Sequence, residues 1–222
     1  MTSNLRHLTF GRKGFTLLEL LVVMGIIAIL LVVVIPAVTS LSKSSGRKGA
    51  IGNLLGAIEQ ARAEAIKTGQ ATYVVFPTFT TGSPAIIDRY NYKAYAVFTD
   101  DPASPVRPKQ LTNWKTFPTG VALRAAGNAP LSSLPNAAGL TPSVAFAFTP
   151  DTTASIDNFR CIKFNSNGEI ESPAANVTLA IFEGFVNAGT EVITGSKDGS
   201  GNPRAMESIT IAHLTGRAER GP

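Results

Sequence analysis

One acidic residue, Glu19, stands beside an otherwise apolar stretch near the start of the chain. From Leu20 to Ser42 the chain has 23 consecutive residues without a charge. An ionised carboxylate within a membrane segment costs a few kcal/mol and usually marks a function. The plainer interpretation is that Glu19 lies near enough to the helix end for its side chain to reach the lipid headgroups.

The residues before Glu19 indicate what its chemistry is. Gly14 follows Arg12 and Lys13. A glycine is a flexible position at which a protease can bind the backbone. Cleavage after Gly14 creates a cationic amine on Phe15, four positions before Glu19. Because positions i and i+4 share a helix face, this amine can pair with the carboxylate in its own chain or in a neighbour. The predicted chemistry is therefore proteolytic processing followed by ion pairing.

The apolar stretch is long enough to cross a bilayer, since about 20 apolar residues suffice for a helix. Residues 1–14 contain three basic residues and no acid, which predicts that the N-terminus stays in the cytoplasm and the rest of the chain lies across the membrane. An ordinary secretory signal peptide cleaved near Ser40 or Ser42 is the alternative. Its apolar core is only about 7–15 residues long, and it leaves the acidic residue unexplained.

Gly14 followed by Phe15-Thr16-Leu17-Leu18-Glu19 and a long apolar run resembles the cleavage and methylation signal of type IV prepilins and type II secretion pseudopilins. The resemblance covers roughly residues 11–40. It implies cleavage after Gly14 and N-methylation of Phe15 by a prepilin peptidase/methyltransferase, and an assembly role for Glu19. Pro36 falls where the family commonly has a helix-kinking proline.

The same resemblance implies partners and a location. The partners are other pilin or pseudopilin subunits and an inner-membrane assembly platform. The subunit is expected in the inner membrane as a single-pass protein with its C-terminal domain in the periplasm, and then in a pilus or pseudopilus. No cofactor and no metal is expected.

Four segments are predicted along the chain: a leader over residues 1–14, a transmembrane or filament-core helix over 15–42, an amphipathic helix over 43–70, and a globular β-rich domain over 71–222. Apolar residues at three- and four-residue spacing from Ile51 to Ile66 predict the amphipathic helix, with Gly69 as its stop. Glycines and Pro36 predict bending or local melting between positions 36 and 49. Gly52 and Gly56 are suited either to close helix approach or to packing under a sheet.

After residue 71 the apolar period changes to two, and turn residues separate the β-rich runs. The fold class is therefore α+β, a long N-terminal helix packed on an antiparallel sheet or sandwich, as in pilins. Residues 125–142 are predicted to form a long irregular loop. The predicted strands are Thr72–Phe76, Tyr92–Phe98, Val121–Arg124, Val144–Phe148, Phe159–Phe164, Val177–Phe182 and Ser208–Leu214.

Two motifs in the last third of the chain carry a second resemblance. Ile162-Lys163-Phe164-Asn165-Ser166-Asn167-Gly168 and the later Thr215-Gly216-Arg217 look like the C-terminal region of H-type minor pseudopilins and related minor pilins of the FimT/FimU type. This resemblance favours a minor over a major subunit.

The sequence offers few residues for catalysis or metal binding. His7 and His213 lie at opposite ends of the chain, which excludes a multi-histidine metal site. Cys161 is the one cysteine, which excludes intramolecular disulfides and cysteine-rich zinc sites. The loop over residues 195–203 has oxygen donors but lacks the carboxylates of a calcium loop, so a solvated turn is favoured. We therefore expect no enzyme activity.

The net charge of +5 at first suggests an acidic partner. Removing the leader takes away Arg6, Arg12 and Lys13, which leaves 17 basic residues against 15 acidic ones. Arg217 and Arg220 in the C-terminal tail remain candidates for contact with DNA phosphates, although Glu219 lies between them.

The sequence therefore predicts a minor pilin or pseudopilin, a structural subunit of a type II secretion pseudopilus or type IV pilus. Two alternatives stay open: a DNA-binding minor pilin for DNA uptake, and a signal-anchored β-sandwich protein of other function.

Overall fold

The structure, a computed structural model, describes residues 15–78, 90–126, 130–148 and 159–221, without the side chains of residues 32–44. The predicted leader lies outside the described residues. The chain divides into two compact units, Met1–Ser42 and Lys43–Pro222. The first unit contributes the start of one helix, α1, and the second contains the rest of α1 and all the strands.

Helix α1 spans Leu17–Thr68 and is assigned without a break. The local melting expected between residues 36 and 49 is therefore wrong, while the bend at Pro36 stays a prediction. The helix ends where predicted, because Gly69 adopts φ +69° and its N–H donates to the carbonyl of Ala65 at 2.9 Å. A left-handed glycine of this kind closes the last turn without a Cβ penalty.

Among the described residues, eleven strands follow α1, together with two short 3₁₀ turns at Leu131–Ser133 and Ala137–Gly139. The strands are β1 (Thr72–Pro77), β2 (Ala94–Thr99), β3 (Lys109–Gln110), β4 (Lys115–Thr116), β5 (Val121–Leu123), β6 (Phe159–Phe164), β7 (Ile170–Ser172), β8 (Val177–Asn187), β9 (Thr190–Ile193), β10 (Met206–Ile211) and β11 (Ala218–Arg220). Every pairing between them is antiparallel. The predicted α+β class is confirmed.

The strands form two sheets. Sheet 1 has the order β3-β2-β1-β6-β7, and β4 also pairs with β2. Sheet 2 has the order β11-β10-β8-β5, and β9 also pairs with β8. Strand β8 is long enough to pair with β10 along its first half and with β9 along its second half.

The main core lies between the second part of α1 and the inner faces of both sheets. The helix contributes apolar side chains at three- and four-residue intervals, including Ile51, Leu54 and Ile58, each at most 2% exposed. This spacing places them on one helix face, as the periodicity predicts. Ile66 departs from the prediction, because it is 49% exposed.

A second, mostly aromatic core covers the opposite face of sheet 1. Residues from Ala137 to Phe148 lie over that face, and Trp114 stacks on the rings of Phe148 and Phe159 with centroid distances of 5.1 and 5.8 Å. The predicted strand Val144–Phe148 is therefore wrong: its apolar side chains pack in this core. Within the described residues its backbone has one bridge residue, Phe146, and a hydrogen bond from the Ala145 N–H to the Val106 carbonyl, but forms no strand. The predicted 125–142 loop contains the two 3₁₀ turns.

Candidate processing and assembly site

The described chain begins at the predicted processing site. Phe15 is the first described residue and is 85% exposed, and Gly14 lies outside the described residues. Residues 15 and 16 precede the helix, which begins at Leu17. Cleavage of the bond between Gly14 and Phe15 stays a prediction.

Thr16 and Glu19 bind each other reciprocally across the first turn of α1. The Glu19 carboxylate accepts hydrogen bonds from the backbone N–H and the hydroxyl of Thr16, at 2.8 and 2.9 Å. The Thr16 hydroxyl in turn accepts from the Glu19 N–H at 3.2 Å. This is a capping box, which satisfies N–H groups that the first helical turn leaves without a partner.

The capping box gives Glu19 a partner inside its own chain. It also puts a negative charge at the helix N-terminus, where the helix dipole favours it. This contact was not predicted, although Thr16-Leu17-Leu18-Glu19 has the Thr-x-x-Glu spacing that identifies such boxes. Pairing of Glu19 with the Phe15 amine stays a prediction, because that amine exists only after cleavage.

The first turns of α1 present a continuous apolar surface. Every large apolar side chain from Leu17 to Leu31 is at least 47% exposed. Isolated soluble chains rarely expose apolar patches of this size, so such a surface indicates lipid or protein contact. Over the described residues, no helix has both the length and the apolar character needed to cross a membrane.

The other chemically active residues are used structurally. Cys161 is fully buried, and burial raises the pKa of its thiol to about 12, which makes it a poor nucleophile. His213 lies after β10, where its backbone N–H donates to the Asn176 side chain at 2.8 Å and its carbonyl accepts from the Ile170 N–H at 2.9 Å. Among the described residues, no three His, Cys, Asp or Glu side chains gather to hold a metal ion.

The loop over residues 195–203 folds around its own carboxylate. Asp198 accepts hydrogen bonds from the N–H groups of Asn202 and Ser200, at 2.7 and 2.9 Å. These bonds, that from Asn202 above all, lower the pKa of Asp198. Its oxygens are thus engaged within the turn, in agreement with the solvated turn that the sequence favours.

The C-terminal arginines do not form a joint basic surface. Arg220, in β11, is bound by the Glu207 carboxylate of the neighbouring β10. Arg217 is 73% exposed at its side chain and lies 3.8 Å from Glu219. Both charges are compensated by nearby carboxylates, which weakens attraction to phosphates.

The two motifs of the second resemblance meet in the structure. Gly168, at φ +80°, and Gly216, at φ +61°, approach so closely that a Cβ on Gly216 would overlap the carbonyl oxygen of Gly168. The Arg62 side chain packs against both glycines, and its Nε–H donates to the Thr215 carbonyl at 2.7 Å. We call this contact the glycine clamp: Gly168 and Gly216 held against Arg62 and Ile66. Sequence alone shows the two motifs but gives no sign that they touch.

Comparison with known proteins finds two family models along the chain. A prokaryotic N-terminal methylation motif matches residues 10–35, and type II transport protein GspH matches residues 50–199. The first covers the Gly14–Glu19 segment and the second reaches the Asn165–Gly168 turn, so both resemblances are confirmed. No sequence among curated proteins matches the chain.

Solved structures of low sequence identity resemble the chain. The type IV minor pilin FimU of Pseudomonas aeruginosa, in its P21 crystal form, is 14% identical and gives a TM-score of 0.43, with 82% of this chain and 92% of that chain covered. The minor pseudopilin EpsH of the Vibrio cholerae type II secretion system is 13% identical and gives a TM-score of 0.40, with 79% of this chain and 95% of that chain covered.

Proposed function

The chain belongs to the type II transport protein GspH family, and from that membership we propose how this minor pilin or pseudopilin is processed, anchored and assembled. The family is a structural one, its members are anchored in the inner membrane, and they assemble with other pilin subunits. We propose that this chain contributes no catalytic step of its own.

Processing takes place at the start of α1. A prepilin peptidase cleaves after Gly14, and the new N-terminus on Phe15 is methylated. This proposal is supported by the methylation motif matched over residues 10–35 and by the exposure of Phe15 just before the helix. An accessible, non-helical backbone is what a protease needs in order to bind the scissile segment.

Glu19 acts during assembly by exchanging partners. In the unassembled chain its carboxylate is held by Thr16, through the hydrogen bonds of the capping box. After cleavage, the Phe15 amine of a neighbouring subunit offers a partner of opposite charge, which adds a charge–charge attraction that the neutral Thr16 donors lack. The capping box thus keeps the carboxylate satisfied until a neighbour arrives.

The apolar surface of α1 serves first in the membrane and then in the filament. Residues Leu17–Leu31 dissolve in lipid with the basic leader on the cytoplasmic side and the β-rich unit in the periplasm. Helix packing against other subunits later replaces lipid at similar polarity. The exposure of every large apolar side chain over that range is the observation that carries this proposal.

Intact mass of the mature protein tests the processing step. The expected mass is that of a chain starting at Phe15 with one added methyl group. A mature start near Lys43 would instead indicate ordinary secretion and refute the proposal.

Filament incorporation of Glu19→Ala tests the assembly step. Insertion and cleavage should continue while incorporation falls, and Glu64→Ala, which removes an exposed pair with Lys67 in the second unit, is the matched control. Normal incorporation of Glu19→Ala would remove the proposed partner exchange.

A further inference from the structure

A row of cations runs along one edge of sheet 1. Lys109 of β3 pairs with Thr99 of β2, and Lys115 of β4 pairs with Tyr95 of β2. Thr99 and Tyr95 are four residues apart, so Lys109 and Lys115 lie on the same face of the sheet and about 13 Å apart. Both lysines are exposed.

Two more cations extend this row at its ends. The ladder continues past β2, because the Phe117 N–H donates to the Lys93 carbonyl at 2.7 Å, and Lys93 lies two residues before Tyr95. Arg107 is exposed and lies two residues before Lys109. We call Lys93, Lys115, Lys109 and Arg107 the basic edge; from Lys93 to Lys109 it is about 20 Å long.

The charges of the basic edge are not compensated within the described part of the chain. None of the four cations forms an ion pair with a described carboxylate, whereas Lys93 lies over the Phe185 ring at 5.8 Å. The glutamates of the second unit are bound elsewhere, and the pairs that engage them are Arg47–Glu183, Arg62–Glu59, Lys67–Glu64, Arg124–Glu191, Lys163–Glu171, Arg217–Glu219, Arg220–Glu207 and, through a neutral donor, Asn165–Glu169. Asp100 and Asp101, which follow β2, accept hydrogen bonds from the Tyr73 hydroxyl and the Ala103 N–H. Within the described residues, the basic edge therefore has no carboxylate as an ion-pair partner.

We propose that the basic edge docks the globular unit on the anionic phospholipid headgroups of the membrane in which the chain is anchored, an inference that rests on the proposed anchoring. Lysine ammonium groups on flexible stems are suited to headgroup phosphates, which require no fixed bidentate geometry. The anchor keeps the bilayer at high effective concentration, so weak attraction is enough. Each cation near an anionic leaflet favours the docked state by about fivefold.

A plain structural role for the lysines leads to a different expectation. Charged side chains at an exposed edge strand prevent sheets from pairing edge to edge. That role requires no lipid and is insensitive to headgroup charge. Dependence of the edge-to-membrane distance on lipid charge therefore separates docking from edge protection.

The chain carries its own probe of the basic edge. Trp114 is its one tryptophan and lies between Lys109 and Lys115. Energy transfer from Trp114 to a dansyl-labelled lipid should be measured with the full chain reconstituted in vesicles of phosphatidylcholine alone, or of phosphatidylcholine mixed with phosphatidylglycerol. Docking predicts higher transfer in the anionic vesicles and loss of that difference in 1 M salt, where charges are screened.

A matched pair of double variants tests the residues. Lys109→Gln/Lys115→Gln should lower the ratio of docked to undocked chain by about 25-fold in anionic vesicles. Lys197→Gln/Arg204→Gln removes the same charge from two exposed cations of the 195–204 loop and should leave the energy transfer unchanged. The proposal would be overturned if wild-type energy transfer were equal in both kinds of vesicle, or if both double variants lost the same amount of energy transfer in anionic vesicles.

Two further measurements separate this proposal from others. The chain should stay with the vesicles after an alkaline carbonate wash, and its release would refute the anchoring and the docking together. If the chain is retained but energy transfer from Trp114 is the same in neutral and anionic vesicles, the docking alone is refuted. If a fluorescent DNA duplex binds the full chain but not Lys109→Gln/Lys115→Gln, and energy transfer does not depend on lipid charge, the basic edge binds nucleic acid instead. The lipid proposal is then wrong.

Discussion

The glycine clamp predicts a large loss of stability from one added methyl group. In Gly216→Ala, the new Cβ would lie well under 3.0 Å from the Gly168 carbonyl oxygen. Real Cβ atoms essentially never approach another heavy atom that closely. No rotamer relieves this overlap, because the Cβ position is fixed by the backbone. The two loops must therefore move apart.

The expected cost has two parts. Alanine at φ +61° costs about 1 kcal/mol, because its Cβ crowds the backbone in the left-handed region. Separating the loops also weakens the hydrogen bond from Arg62 to the Thr215 carbonyl, and overpacking of this kind typically costs about 2 kcal/mol. The free energy of unfolding should thus fall by about 3 kcal/mol, and the Tm by roughly 10 °C.

Gly201→Ala is the matched control for the backbone part. Gly201 has φ +83°, and no described atom lies within 4 Å of the position that an alanine Cβ would take there, so only the conformational cost of about 1 kcal/mol applies. Urea unfolding should be measured on the Lys43–Pro222 unit, once the wild-type unit is shown to unfold in one cooperative step. If Gly216→Ala is no less stable than Gly201→Ala, the clamp is not a tight contact and the expected cost is wrong.

Three further predictions concern the second unit. Glu191→Gln should lower the free energy of unfolding by about 3 kcal/mol in urea titrations, because it leaves the buried Arg124 guanidinium, 2.9 Å from the carboxylate, without a counter-charge; an unchanged midpoint would contradict this. Burial raises the pKa of Cys161 from 9.0 to about 12, so between those pH values the unfolded thiol loses its proton while the folded one keeps it, and stability falls by about 1.4 kcal/mol per pH unit. Cys161→Ala should make the decline of stability from pH 9 to 11 shallower by that amount, and an unchanged slope would show that the thiol does not contribute. Gly52→Ala should stabilise the unit by about 1 kcal/mol, since no described atom lies within 4 Å of the added methyl and alanine favours the helix; destabilisation would reveal a contact that the structure does not contain.

Strong local patterns made part of the fold predictable from the sequence. Strand β6 has the predicted bounds, Phe159–Phe164, because it combines β-branched and aromatic residues with clear turn residues after it. The end of α1 was equally clear, since Gly69 follows a regular apolar spacing. In both cases the local preference and the tertiary environment favour the same structure.

Two features of the fold differ from the predictions, because an alternating or turn-poor sequence does not by itself determine which backbone segments pair. Val144–Phe148 alternates like a strand, yet in the described part of the chain it contributes side chains to the aromatic core and forms no strand. The hairpin of β8 and β9 was missed because its turn places Ala188 at φ +47°, a conformation in which alanine is rare. At the predicted processing site, a short motif identifies Gly14, Phe15 and Glu19, whose roles stay predictions, whereas the Thr16–Glu19 hydrogen bonds are a finding of the structure.

The second aromatic core has a consequence for how sheet 1 tolerates mutation. Strands β1 and β2 are buried at all six positions, because α1 covers one face of the sheet and the 137–148 segment covers the other. A sheet with one solvated face accepts polar substitutions at every second position. In these two strands no position faces solvent, so a polar substitution at any of their twelve positions should destabilise the unit.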